Sequence, residues 1–170
     1  MIVKLIGAAL ILAVCTFVSC KIVADYRLEI RTLNKLAQAL DYMHCQLAYR
    51  LLPLPSLCRC TAEATDGVLH NFFEALSDEL DNQVSPDVMH CVYSALSSVG
   101  DIPPRCKEIL LELGVSLGTF NLEGELTGLT TAREAAQRCL NALSYHQEEK
   151  LRCYKTIGLS LGAVIVIMLI

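Results

Sequence analysis

Three short stretches hold the residues best equipped for chemistry: His44-Cys45, Cys58-Arg59-Cys60 and His90-Cys91. Imidazole and thiolate are the usual ligands of zinc, and a structural site needs a full tetrahedral set with suitable spacers between paired cysteines. Cys58 and Cys60 are two positions apart, so on a helix they project about 200° from one another. The two His-Cys pairs are adjacent in sequence, which also divides their directions. The spacing predicts one member of each pair packed inward and the other outward, with no metal and no other cofactor. Redox thiols need a depressed pKa and a resolving partner, but the chain contains no Cys-x-x-C. Several Cys/His nucleophile pairings can be drawn, and none has a surround that would activate a thiol. Gly114-Val115-Ser116-Leu117-Gly118 lacks the lysine and the strand-to-helix setting of a phosphate-binding loop. The expectation is a non-enzymatic protein with no catalytic residues and no small-molecule substrate.

The elements that position these residues are helices. Leu33, Leu36, Leu40, Met43 and Leu47 recur at spacings of three and four, the seam of one long helix continuous with the apolar segment before it. Leu52-Pro53-Leu54-Pro55 breaks it, because each proline disfavours helix in the residue before it. A second helix is predicted from Ser56, as cap, to about residue 66, closing at Gly67. Val68, Leu69, Phe72, Phe73, Leu76 and Leu80 mark a third. Ser85-Pro86 reads as a cap followed by proline at the first helical position, opening a fourth helix lined by Val88, Met89, Val92, Leu96 and Val99. Ile109, Leu110, Leu113 and Leu117 carry a fifth, with a break expected near Gly118. From about Asn121 the chain reads helical to its end, with Leu129, Ala132, Ala136, Cys139, Leu140 and Leu143 as the buried stripe. No strand-like alternation occurs. The fold class is therefore all-α, a small helical bundle.

Both ends of the chain are apolar. Leu5 to Ser19 carries no charge, nor does Ile157 to Ile170. Lys21, Arg27 and Arg31 follow the first run, and Lys150, Arg152 and Lys155 precede the second. Basic flanks stay on the cytoplasmic side, so these charges set a topology: a transmembrane helix at 2–20, a cytosolic bundle at 21–155, and a short C-terminal transmembrane helix at 156–170. The fourteen residues from Ile157 would span only about 21 Å of a hydrocarbon core about 30 Å thick. Gly158 and Gly162 stand four apart with Ser160 between them, and Gly7 with Ala9 and Ala13 offers similar spacing, so the two terminal helices are expected to pack as a hairpin. A second reading of the first segment remains open. Phe17-Val18-Ser19-Cys20 is similar to a lipoprotein cleavage box, which would make Cys20 a lipidated amino terminus and the rest a surface binding module.

The composition narrows the partners. There are 18 Asp and Glu against 14 Lys and Arg, a formal charge of −4, a pI near 5.5 and no Trp. With no basic stripe interleaved with aromatics, nucleic acid is excluded as the expected partner. The nine cysteines are odd in number and irregularly spaced, most within helical patterns as small apolar residues. They are expected to remain thiols in a reducing cytosol.

Several stretches together resemble the stage III sporulation protein AB family. They are the opening Met1 to Ala8, Arg31 to Leu40 within the long helix, and Leu47-Ala48-Tyr49 followed by Leu52-Pro53-Leu54. Leu117-Gly118 and the run Glu148 to Gly158 complete the set. The chain departs from the family pattern at Gln46, where an acidic residue is usual, at Glu125, near which a Gln is usual, and in Arg50-Leu51-Leu52, which replaces a more polar approach to the turn. The resemblance implies a part of the channel or secretion-like complex joining mother cell and forespore, in the mother-cell membrane around the forespore. It further implies a helical domain similar to those of type II secretion platform proteins, docking other components of the complex, including a secretion-type ATPase.

Overall fold

The structure, a computed structural model, describes residues 2–82, 87–117 and 122–143, and of the side chains before Cys20 only those of Val14 and Phe17. Among the described residues the regular structure is helical throughout, with no strand: α1 (Ile2–Arg50), α2 (Leu54–Glu63), α3 (Val68–Asp81), α4 (Val88–Ser98), α5 (Pro104–Leu117) and α6 (122–143). The chain divides into two compact units. One is Arg31–Leu140; the other joins Met1–Ile30 to Asn141–Ile170.

In the unit Arg31–Leu140, the seams read from the sequence meet in one core. Leu33, Leu36, Leu40, Met43 and Leu47 of α1 are buried, as are Leu69, Phe72, Phe73 and Leu76 of α3. Ile109, Leu110, Leu113 and Leu117 of α5 join them, with Leu129, Ala132, Ala136 and Leu140 of α6. Each fully buried leucine or phenylalanine stabilises the fold by about 1.5–3 kcal/mol. Phe72 and Phe73 pack edge to face with ring centroids 5.2 Å apart. On α4 the buried set also includes Cys91 and Ala95, which the apolar stripe alone does not mark, and Val99 is only half-buried. Two buried hydroxyls are satisfied within the fold. Thr61 Oγ1 donates to the Leu57 carbonyl at 2.7 Å, and Ser77 Oγ donates to the Pro55 carbonyl at 3.1 Å, joining α3 to α2.

Helix boundaries follow local chemistry, with two corrections to the sequence reading. α1 ends where Leu51 turns left-handed (φ 50°) ahead of Pro53. α2 begins at Leu54, not after Ser56: Pro53 occupies the cap position in an extended conformation, and no side chain caps the helix. Pro55 is tolerated in the first turn because its missing N–H would have had no helical acceptor there. Gly67 (φ 70°) then reverses the chain into α3. α4 begins at Val88 with Asp87 as cap, its carboxylate accepting from the Met89 N–H at 3.0 Å. The expected cap Ser85 and the proline after it lie outside the described residues, as do the break at Gly118 and everything after Leu143.

Close approaches hold the later helices together. A Cβ at Gly128 of α6 would sit 2.2 Å from Ser116 Cβ of α5, so only glycine lets these helices meet as they do. Gly114 of α5 faces Val92 and Met89 of α4. Arg133 Nε of α6 pairs with Asp41 Oδ1 of α1 at 2.6 Å. In the other unit, the Tyr26 hydroxyl of α1 donates to the Leu143 carbonyl of α6 at 2.9 Å. Among the described residues no helix is long and apolar enough to cross a membrane, so the fold gives no support to the transmembrane helix expected at 2–20. Residues 156–170, assigned to a membrane helix by the sequence, lie outside them.

Candidate functional site

The residues with chemical potential are dispersed by the helices that carry them. Cys58 is fully buried in α2 while Cys60 is half-buried, and Cys91 is buried in α4 beside an exposed His90. The inward–outward division expected of these pairs is what the structure shows. His44-Cys45 departs from it: His44 is half-buried and Cys45 exposed, because Met43 and Leu47 fill the inward face of that turn. Burial pushes the Cys58 thiol up to about 12, so it carries almost no thiolate at neutral pH. Among the described residues, no three His, Cys, Asp or Glu side chains form a group that could hold a metal ion.

The best-formed polar feature lies where the α2–α3 turn meets α1. Lys35 Nζ donates to Asp66 Oδ2 at 2.6 Å, beside an open cleft of about 320 Å³ lined by Gln38, Ala39, Tyr42, Ala64 and Thr65 as well as the pair itself. The hydrogen bond from Lys35, then the charges of Lys35, Arg31 and His70, hold the Asp66 carboxyl below the usual carboxylate range. His70 Nδ1 lies 2.7 Å from the Ala62 carbonyl oxygen, and its Nε2 lies 3.5 Å from Glu74 Oε2. The Thr65 hydroxyl donates to the Thr61 and Ala62 carbonyls. The Lys35–Asp66 pair fastens the α2–α3 turn to α1, and the Thr65 and His70 contacts hold the turn itself in shape. Arg59 pairs with Asp81 in the same way between α2 and α3.

What remains available to a partner is surface. Tyr49 is 87% exposed and Leu51 63%, with exposed Arg50 between them at the end of α1. Tyr93 on α4 and Val115 on α5 are exposed singly. Of the topology-setting charges, Lys21, Arg27 and Arg31 are exposed along α1. Lys150, Arg152, Lys155, Gly158 and Gly162 lie outside the described residues, as do the surroundings of Gly7. The sequence reading did not mark the Lys35–Asp66 pair or the exposed end of α1. The second had a signal: Tyr49 follows Leu47 by two positions, which on a helix carries it to the face opposite the buried seam.

A family model described as stage III sporulation protein AB matches residues 4–170. The chain belongs to the stage III sporulation protein AB family. A solved structure titled "Stage III sporulation protein AB (SpoIIIAB)" is similar to it at 17% sequence identity with a TM-score of 0.59, covering 69% of this chain and 94% of that one. At that identity the likeness speaks for the helical fold. No curated protein matches the chain by sequence. As a member of the stage III sporulation protein AB family, the chain has a sporulation-related role.

Proposed function

We propose that this chain is a structural membrane component of a sporulation channel or secretion-like complex between mother cell and forespore. In this reading residues 2–20 and 156–170 are membrane anchors packed through Gly7, Gly158 and Gly162. Lys21, Arg27, Arg31, Lys150, Arg152 and Lys155 keep residues 21–155 on the cytosolic side of the mother-cell membrane. There the helical bundle docks other components of the complex, a secretion-type ATPase among them. The family match over residues 4–170 carries the reading. It is supported by the uncharged run Leu5–Ser19, by the basic flanks and by a site geometry whose polar groups serve the fold. Cys45, exposed on α1, is the reporter of orientation. An impermeant thiol reagent should modify it only after the cells are permeabilised, and modification in intact cells would overturn the orientation.

The surface-lipoprotein reading, with Cys20 lipidated, has weaker support. α1 runs through Cys20 as one helix, where a lipoprotein usually has a flexible tether. Intact mass separates the two, since a mature chain starting at Cys20 belongs to the lipoprotein alone.

A further inference from the structure

We propose that the last turn of α1, Tyr49-Arg50-Leu51, is a preformed knob that docks a protein partner presenting an apolar pocket with a carboxylate at its rim. The inference rests on the reading of the chain as a docking component and names the surface that does it.

Three observations at consecutive residues converge. Tyr49 is the most exposed of the large apolar side chains among the described residues, on the face of α1 opposite the core seam. Leu51 is the one non-glycine residue with positive φ among them, and its side chain is left in solvent. Glycine would close this helix with less strain, so the leucine serves neither the backbone nor the core. Arg50, between them, is exposed and makes no ion pair or hydrogen bond with other described residues, whereas Lys35, Arg59 and Arg133 each have a carboxylate of the chain's own. An unpaired guanidinium flanked by two solvated apolar groups is complementary to an acidic-rimmed apolar pocket, and tyrosine and arginine are the residues on which protein interfaces concentrate their binding energy. A bilayer surface fits less well, because it is drawn to clusters of basic residues and this turn has one. The turn is also held in shape. The Leu51 N–H donates to the Leu47 carbonyl at 3.2 Å, and Pro53 fixes the exit of the chain, so little ordering remains to oppose binding.

The test uses the full chain in sporulating cells, with Tyr49 replaced by the photocrosslinker p-benzoylphenylalanine and Tyr93 on α4 replaced likewise as a second position. The expected result is an adduct between position 49 and another polypeptide, mapped by mass spectrometry to a segment bearing Asp or Glu. That adduct should fall by about 10-fold or more with Arg50→Glu and persist with Arg50→Lys. Leu51→Gly should weaken it while raising the melting temperature by about 3 °C, because the strain is gone. That opposition is unavailable to a residue that is merely structural. Adducts from position 49 only to lipid or to a second copy of the chain, or an adduct indifferent to Arg50→Glu, would overturn the proposal. An adduct at position 93 without one at 49 would refute the knob and leave the docking role standing. No adduct at either position would bring down both.

Discussion

Gly128→Ala tests how closely α5 and α6 are joined. In an open helix this change would stabilise by about 1 kcal/mol, since alanine loses less backbone entropy on folding than glycine. Here the new Cβ would stand 2.2 Å from Ser116 Cβ and 3.5 Å from Ser116 Cα. Carbon atoms in contact prefer about 3.5–4.0 Å, so the two helices must part by about 1.5 Å. The serine hydroxyl can rotate away, but its Cβ is fixed to the backbone. Overpacking of this kind costs about 1–3 kcal/mol, and the fixed atoms favour the upper end. With the propensity gain subtracted, the net loss is about 2 kcal/mol, or a fall of about 6 °C in melting temperature. Denaturant melts of the wild type, Gly128→Ala, Ser116→Gly and the double variant close the cycle. Ser116→Gly removes the obstructing Cβ, so the cycle should return a coupling of about 3 kcal/mol, the whole overpacking cost before the propensity gain is subtracted. A stabilised Gly128→Ala, or a coupling near zero, would refute the contact between α5 and α6.

Other expectations follow from the same geometry. Gly114→Ala should cost less than Gly128→Ala, since its nearest neighbours are Val92 Cγ2 at 3.0 Å and the flexible Met89 Sδ at 3.2 Å; equal losses in urea melts would contradict this. In the native protein at pH 8, Cys45 should react with a small thiol reagent while Cys58 reacts only after denaturation, as peptide mapping would show. Burial raises the Glu125 carboxyl, so the folded state prefers its protonated form, and stability is lost as pH rises from about 4.5 through the folded value. Glu125→Gln should therefore raise the melting temperature by about 1–2 °C at pH 7 and leave it unchanged well below pH 4. Asp66 has the opposite sign: its pKa is lowered, so its contribution is present above about pH 3.8 and lost in acid. Because the pair is exposed, Asp66→Asn should change the melting temperature little, and less still in high salt, in melts at two ionic strengths.

The core was legible because helical periodicity is written in residue type: Leu33 through Leu47 repeat at three and four, and their burial follows from geometry alone. Caps were less so. Ser56 and Ser85 are good capping residues, but a helix start is a competition among neighbours, and Pro53 and Asp87 occupy the cap positions. Contacts across the sequence were not legible. Nothing near Lys35 announces Asp66, thirty-one positions on, because pairing is decided by where the α2–α3 turn returns to α1. Gly128 illustrates the same limit. A glycine inside a helical stretch signals only a cost in helix propensity, and its reason becomes visible only beside Ser116.

Cys58, Cys91 and Cys106 all lie buried in the folded chain. While the bundle is closed, packing shields them from oxidants. Opened, the same chain presents three thiols at once, and in air or in an oxidising compartment they can cross-link in arrangements that the native packing cannot admit. Refolding is then a race against oxidation. Thermal unfolding should be reversible in the presence of reductant and progressively irreversible without it, so the conditions of synthesis, more than those of service, determine whether a molecule survives intact.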